Sequence, residues 1–434
     1  MKAPERDTLS PGERAVPSVR ISDCGISSAR GNRTEPKWYF QSVGGAAREL
    51  SGSTGPTGLF KIKEKEIRTV KINLCRAGSA VAAVLLATAW AAAGDFGRGV
   101  YVLTSTNNPK GNDVVVFELT SGGTPSLNMV NMLPTGGNGG ASTNAGILQF
   151  KDNLGAVANY GSNTVTQLVR EGDFIGIGQT INLAQNCTNP ASVAFSGGQP
   201  FSFFVGHLLV VGANCAESHE WPSGKLDGTV VSLTDPTAAQ IAAGQTWAAV
   251  TLADPGGTGS VLQLGLTPFG ALNGTSTTVT LPSGANMVPL GEAFWGDLLG
   301  FTPAHSPMSF AILNKGGMVS PVTGPTPPFP TNAPCWVAKG AGNIWYTGNS
   351  PGDAISIFFS DGQGGVFYKS VSLPGSPTDI TVSPDGKWLA VIYSAGGDAY
   401  VAVYSIDSYG DLTAVATSSP VSGVASFSGV AFSE

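Results

Sequence analysis

Charge is scarce in this 434-residue chain: Asp, Glu, Lys and Arg make up only 12%, about half the ~25% of an average domain. With 42% hydrophobic residues, that scarcity excludes disorder of the whole chain, which needs high charge and few apolar groups. Sequences rich in Glu, Lys, Leu and Arg are missing, which excludes a coiled coil or helical bundle. There is no Gly-X-Y period, which excludes collagen, and no sustained 3.6-residue hydrophobic period. No Cys-x-x-Cys or Cys/His spacing suggests zinc, so no metal and no cofactor is expected. Arginine nearly disappears after residue 93, where Arg98 and Arg170 are the only two. Anion recognition usually rests on Arg forks or a Lys cluster. The seven lysines of that region are scattered along it.

The charge that is present is unevenly placed. Residues 1–93 hold 14 of the 23 Lys and Arg and 8 of the 29 Asp and Glu, a net of +6. Residues 94–434 hold 9 basic and 21 acidic residues, a net of −12. Within the basic part, Lys71 and Arg76 precede the apolar run Ala80–Ala89, and Ala91-Ala92-Ala93 precede Gly94-Asp95. That is the pattern of a secretory signal peptide at 70–93. The run is too short to span ~30 Å of hydrocarbon, so no membrane span is expected in the mature chain. Residues 1–69 are polar and aperiodic and read as a disordered leader. No Met lies between Met1 and Met129, so a downstream start would use another codon, and the leader reads as an extension of the gene model. The acidic remainder disfavours nucleic acid and repels anionic substrates.

What is abundant is glycine, 59 residues, about twice the usual ~7%. From Gly99 onward, β-branched and aromatic runs alternate with Gly, Pro, Asn and Asp. Examples are Gly99–Leu103 and Asp113–Leu119. Short strands at regular spacing argue for an all-β sandwich, barrel or propeller. Self-comparison chooses between them. Ser376–Asp407, Thr331–Asp361, and the stretches from Asn189 and Asn144 share one plan: strand, hairpin turn, second strand, third strand. A fourth strand follows at Val366–Val371 or Leu412–Val415. The 341 residues from Gly94 divide into seven units of about 49, within the ~40–50 of propeller blades. The expectation is an all-β, seven-bladed β-propeller over 94–434, with six or eight blades left open. The lone final run Ser428–Phe432 is expected to pair with the first blade and close the ring.

These units resemble the secreted lactonase-family, or YVTN-type, propellers. The likeness rests on Ser376-Pro377 with Ser383-Pro-Asp-Gly386 and Ala390-Val391. It rests also on Ala333-Pro-Cys-Trp-Val337 with Trp345-Tyr-Thr-Gly-Asn349, and on Asp113–Phe117. The resemblance implies a secreted or periplasmic protein with lactone hydrolysis or muconate-type cyclisation as its activity. Arginine scarcity and the net negative charge turn that expectation toward a neutral lactone. The alternative is a non-catalytic extracellular or cell-surface module that binds a small neutral molecule, a protein or a glycan. A monomer is expected.

Few residues offer chemistry. The later region holds Cys187, Cys215 and Cys335. Cys187 and Cys215 share a unit and are the expected disulfide in a secreted chain, while Cys335 beside Trp336 reads as a buried thiol. Of three histidines, His207 reads as structural and His305 as a weak candidate. His219 lies in Glu217-Ser-His-Glu220, read as a loop after a strand ending at Asn214. Such loops line channel mouths in propellers. His219 with Glu217 or Glu220 is therefore the expected catalytic set, a general base for water attack, weighed against a merely solvated loop. The recurring aspartates, Asp379 among them, read as turn residues, and Gly136–Gly140 as an inter-blade loop.

Overall fold

The computed structural model describes residues 99–434 apart from 121–122, 142–144, 198–205, 235–236, 255–258, 282–287, 305–308, 323–333 and 351. The leader expected at 1–69, the signal-like segment at 70–93 and His305 lie outside the described residues.

The described residues carry 28 strands, β1 to β28 in chain order, in seven four-stranded antiparallel sheets. The innermost strands are β4 (Leu148–Lys151), β8 (Ser192–Ser196), β12 (Ala238–Ala243), β16 (Val288–Trp295), β20 (Pro334–Lys339), β24 (Ser376–Val382) and β28 (Ser428–Ser433). Each touches the next around a closed ring. The protein is a seven-bladed β-propeller, and the count left open by the repeat length is seven.

Burial explains the residue choice. Second strands such as β13 (Trp247–Leu252) are buried throughout, because blades cover both of their faces, and they read as continuous apolar runs. Outermost strands such as β15 (Leu272–Thr280) face water along most of their length and are rich in Thr and Ser. Glycine serves two ends. In the turn Ser383–Gly386, Gly386 takes φ 73°, a conformation that costs other residues a Cβ clash. Gly300, on the second strand of the fifth blade, instead makes room: a Cβ there would meet the Trp345 ring at 2.3 Å.

Closure comes from the C-terminus. β28 pairs antiparallel with β1 (Val100–Ser105), setting Phe432 opposite Val102 and Ala431 opposite Leu103. Buried Arg170 locks the join. Its Nη1 donates to Ser433 Oγ at 3.2 Å, its Nη2 to Gly99 O at 2.7 Å and its Nε to Gly172 O at 2.8 Å. The guanidinium also sits over the Tyr101 ring at 5.0 Å. One of the two arginines after residue 93 is thus a clamp on ring closure.

Five inner strands are irregular. Their pairing shifts between Ala238 and Gln240, Pro289 and Glu292, Pro334 and Trp336, Pro377 and Asp379, and Ser428 and Val430. Such bulges re-aim the side chain that follows. Three of the five following residues are polar: Gln240, Glu292 and Asp379. No helix among the described residues is long and apolar enough to cross a membrane.

Candidate functional site

The inner strands enclose a cavity of about 320 Å³. Its polar lining includes Gln149, Lys151, Gln240, Glu292, Lys339 and Asp379. Lys151 and Lys339 end β4 and β20. Both therefore stand at the end of the channel where the first two strands of each blade are joined. Glu292 and Asp379 follow the bulges of β16 and β24, deeper along their strands. One blade, that of β20, separates them around the ring.

The two carboxyls are held differently. Asp379 Oδ1 accepts the Ile380 amide at 2.8 Å, and Oδ2 accepts the Val430 amide on β28 at 3.2 Å. Complete burial raises Asp379 to about 7, against the amides of Ile380, Val430 and Gly146, which favour its anion. Glu292 has no such cradle. Among the described residues, the Ala242 amide is the one group that opposes desolvation of its carboxyl. Burial therefore drives Glu292 well above the usual carboxylate range. A poorly compensated buried acid of this kind is costly to fold, which marks it as a functional candidate.

The lysines are engaged. Lys151 Nζ donates to Gly197 O at 2.9 Å. Lys339 Nζ donates to Gly340 O at 2.6 Å and Gly342 O at 2.7 Å, and lies over the Trp295 and Trp345 rings. Burial pulls Lys339 down to about 8, against carbonyls and indole faces that favour the ammonium. Neither lysine presents an anion fork.

The residues expected from sequence lie elsewhere. Cys215–Glu220 is not a loop but strand β10, third from the axis in its blade. The sequence resumes an alternating pattern at Cys215, so pairing with its neighbours captures Glu217-Ser-His. Glu217 and His219 do meet, with Oε1 and Nε2 at 2.8 Å, but they are buried inside the blade at 0% and 1% exposure. Neither lines the channel cavity. His219 Nδ1 faces Gly224 O at 3.0 Å, and Glu217 Oε2 accepts the Ala184 amide at 3.0 Å. Glu220 is exposed at the end of β10, beside Ser223 Oγ at 3.2 Å. His207 forms a second pair, with Asp227 Oδ2 at 2.8 Å and Phe269 O at 3.0 Å. Cys187 and Cys215 are joined in a disulfide with Cα atoms 5.4 Å apart, and Cys335 is buried. The sulfurs and Glu217 lie within 4.8 Å of one another, but bonded sulfurs offer no thiolate to a metal.

Neither Asp379 nor Glu292 is among the catalytic candidates expected from the sequence. Asp379 was placed with the turns, yet it sits inside β24. The usable signal was a single carboxylate interrupting an apolar inner-strand run, as in Val-Pro-Leu-Gly-Glu292.

No family model and no curated protein matches the sequence. Solved structures do. A protein from Lactobacillus plantarum is 14% identical, with 77% of this chain and 99% of that chain covered at a TM-score of 0.57. A functionally unknown protein from Desulfotomaculum acetoxidans is 12% identical, with 77% and 99% covered at 0.56. The periplasmic gluconolactonase of Pseudomonas aeruginosa is 15% identical, with 77% and 99% covered at 0.52. At such identities these likenesses establish the propeller fold, shared with a gluconolactonase, and nothing of the reaction.

Proposed function

We propose that this propeller is an exported hydrolase of a small uncharged lactone and that the reaction takes place in the central channel. One observation carries the reading: Glu292 and Asp379, both buried and both raised above the ordinary carboxylate range, face one cavity. Two carboxyls with separated protonation behaviour are the elements of acid and base catalysis. In the hydrolysis, a water oxygen attacks the lactone carbonyl carbon. The Asp379 carboxylate takes the proton that the water loses, using lone pairs its amide donors leave open. Protonated Glu292 gives its proton to the ring oxygen as the carbon–oxygen bond breaks. Lysines tied to backbone carbonyls, and an arginine spent on ring closure, favour an uncharged substrate. The signal-like segment at 70–93 and the likeness to a periplasmic gluconolactonase support export.

The test is a pH-stat assay of the full chain on a panel of neutral lactones, with E292Q and D379N alongside. Turnover should fall by about 100-fold or more in each variant. Turnover indifferent to both substitutions overturns the channel assignment, and no turnover on any lactone overturns the hydrolase reading.

A second reading, a non-catalytic binding module, has its own support. Met129, Val130 and Met132 on β3 (Ser126–Pro134) and Phe174 on β7 (Phe174–Asn182) are exposed hydrophobics on outermost strands. Apolar residues gathered on an outer edge are a feature of contact surfaces.

A further inference from the structure

Away from the channel, three side chains of metal-ligand type gather inside the third blade, with His219 paired to one of them. Cys215, Glu217 and His219 alternate along β10 and so project from one face of the sheet. That face meets the link between β7 and β8, which carries Cys187. Ligand atoms of Cys187, Cys215 and Glu217 all lie within 4.8 Å of one another, and all three residues are buried. His219 Nε2 lies 2.8 Å from Glu217 Oε1, while its Nδ1 faces Gly224 O at 3.0 Å. His219 lies outside that group and reaches it through Glu217, so it must close toward the sulfurs to join a metal, while its other nitrogen stays fixed by a carbonyl as in metal-bound histidines. The Ala184 amide fixes the second oxygen of Glu217 in the same way.

In the oxidised chain the sulfurs are bonded to each other and the cluster cannot take a metal. We propose that the reduced chain binds one zinc ion here, through Cys187, Cys215, Glu217 and His219. A thiol or phosphine reductant supplies two electrons and two protons. The S–S bond breaks, two thiols form, and the reductant leaves oxidised. Zinc then displaces both thiol protons and the proton shared by His219 and Glu217, which pass to solvent. Two thiolates, one carboxylate and one imidazole make a four-coordinate set suited to zinc. Disulfide and metal are alternative fastenings of one clip between the inter-blade link and β10. The site is closed and structural, and it stands or falls separately from catalysis in the channel.

The test uses the full chain, reduced with a phosphine, and cobalt(II) as a spectroscopic stand-in for zinc. The reduced protein should bind one equivalent of cobalt with thiolate-to-metal charge-transfer absorption, which one equivalent of zinc bleaches. The oxidised protein should show none. E217Q and H219Q should each weaken cobalt binding by about tenfold or more, and C335S should leave it unchanged. Absence of the band from the reduced chain overturns the proposal, as does a band that survives C187S. Should reduction unfold the chain, added zinc must restore its circular dichroism spectrum, and failure to do so is equally decisive against the site.

Discussion

Gln240 of the fourth blade clasps the backbone of Glu292 in the fifth: its Oε1 accepts the Glu292 amide at 2.8 Å, and its Nε2 donates to the Glu292 carbonyl at 3.0 Å. The neighbouring Gly291 amide donates to Thr302 Oγ1 at 3.0 Å. The bulge that turns Glu292 into the channel is thus pinned from two blades. Replacing Gln240 with Ala should leave two buried backbone groups unpaired. The expected loss is about 2–4 kcal/mol of unfolding free energy, read from denaturant midpoints. Q240A should also lower lactone turnover without removing either carboxyl.

Glu292 should behave as a residue whose presence opposes stability. Its carboxyl is buried with only the Ala242 amide to oppose desolvation, so at alkaline pH an ion must be kept in a poorly compensated setting. The uncharged E292Q should therefore melt higher than the wild type at pH 8 while losing turnover. A melting temperature that falls in E292Q would show that the charged form is stabilised by contacts beyond those described.

Stability should decline as pH rises from about 4 to about 7. Asp379 holds its proton up to about 7 in the folded chain but only to 3.8 when unperturbed. The native state therefore binds the proton more tightly, and its advantage is complete below the unfolded value and gone above the folded one. Glu292 acts in the same direction. Denaturation at pH 5 should give an unfolding free energy larger than at pH 8 by about 2 kcal/mol or more. D379N should shrink that difference. It also places an amide NH2 against either the Ile380 or the Val430 amide, so its stability at pH 8 should fall by about 1–3 kcal/mol. A pH-independent wild type would contradict the burial of both acids.

The architecture was legible from sequence because each blade repeats one local plan, and strand period, turn glycines and unit length all point the same way. The pairing of Ser428–Phe432 with the first blade was legible for a related reason: a lone strand at the end of a ring has one open edge to join. The site was not legible. Glu217 and His219 look catalytic by residue type, but nothing in Cys215–Glu220 tells which of four strands it forms, and third place in the blade buries it. Asp379 looked like a turn residue because Asp is common in turns. Its role depends on a register shift against Tyr393 and Ile392, a property of the pairing and not of the local sequence.

Removing the C-terminal strand should be far more damaging than its length suggests. β28 is the innermost strand of the first blade, and its deletion strips β1 of its partner. It also removes Ser433 from Arg170 and the Val430 amide from Asp379. A chain ending at 423 should lose cooperative melting, or melt far below the full chain. S433A tests the clamp alone and should cost about 1.5–3 kcal/mol, the net worth of one hydrogen bond to a charged group. A truncated chain that melts like the full one would mean that the ring is held shut by its other six blades.

Gly300 offers a prediction that turn chemistry would not make. It lies within β17 (Leu298–Ala304), and its missing side chain is the space that the fully buried Trp345 of the next blade fills. An added Cβ would come within 2.3 Å of the indole carbons and 3 Å of three of them. Trp345 is wedged against Phe310 at 5.6 Å between ring centroids and cannot withdraw cheaply. It also forms part of the aromatic bed beneath Lys339 at the channel mouth. G300A should therefore destabilise the fold by about 1–3 kcal/mol, although alanine normally improves on glycine inside a strand by ~0.5–1 kcal/mol. Near-ultraviolet circular dichroism should report the displaced indole. If G300A proves neutral or stabilising, the close packing of blades five and six through this glycine is wrong.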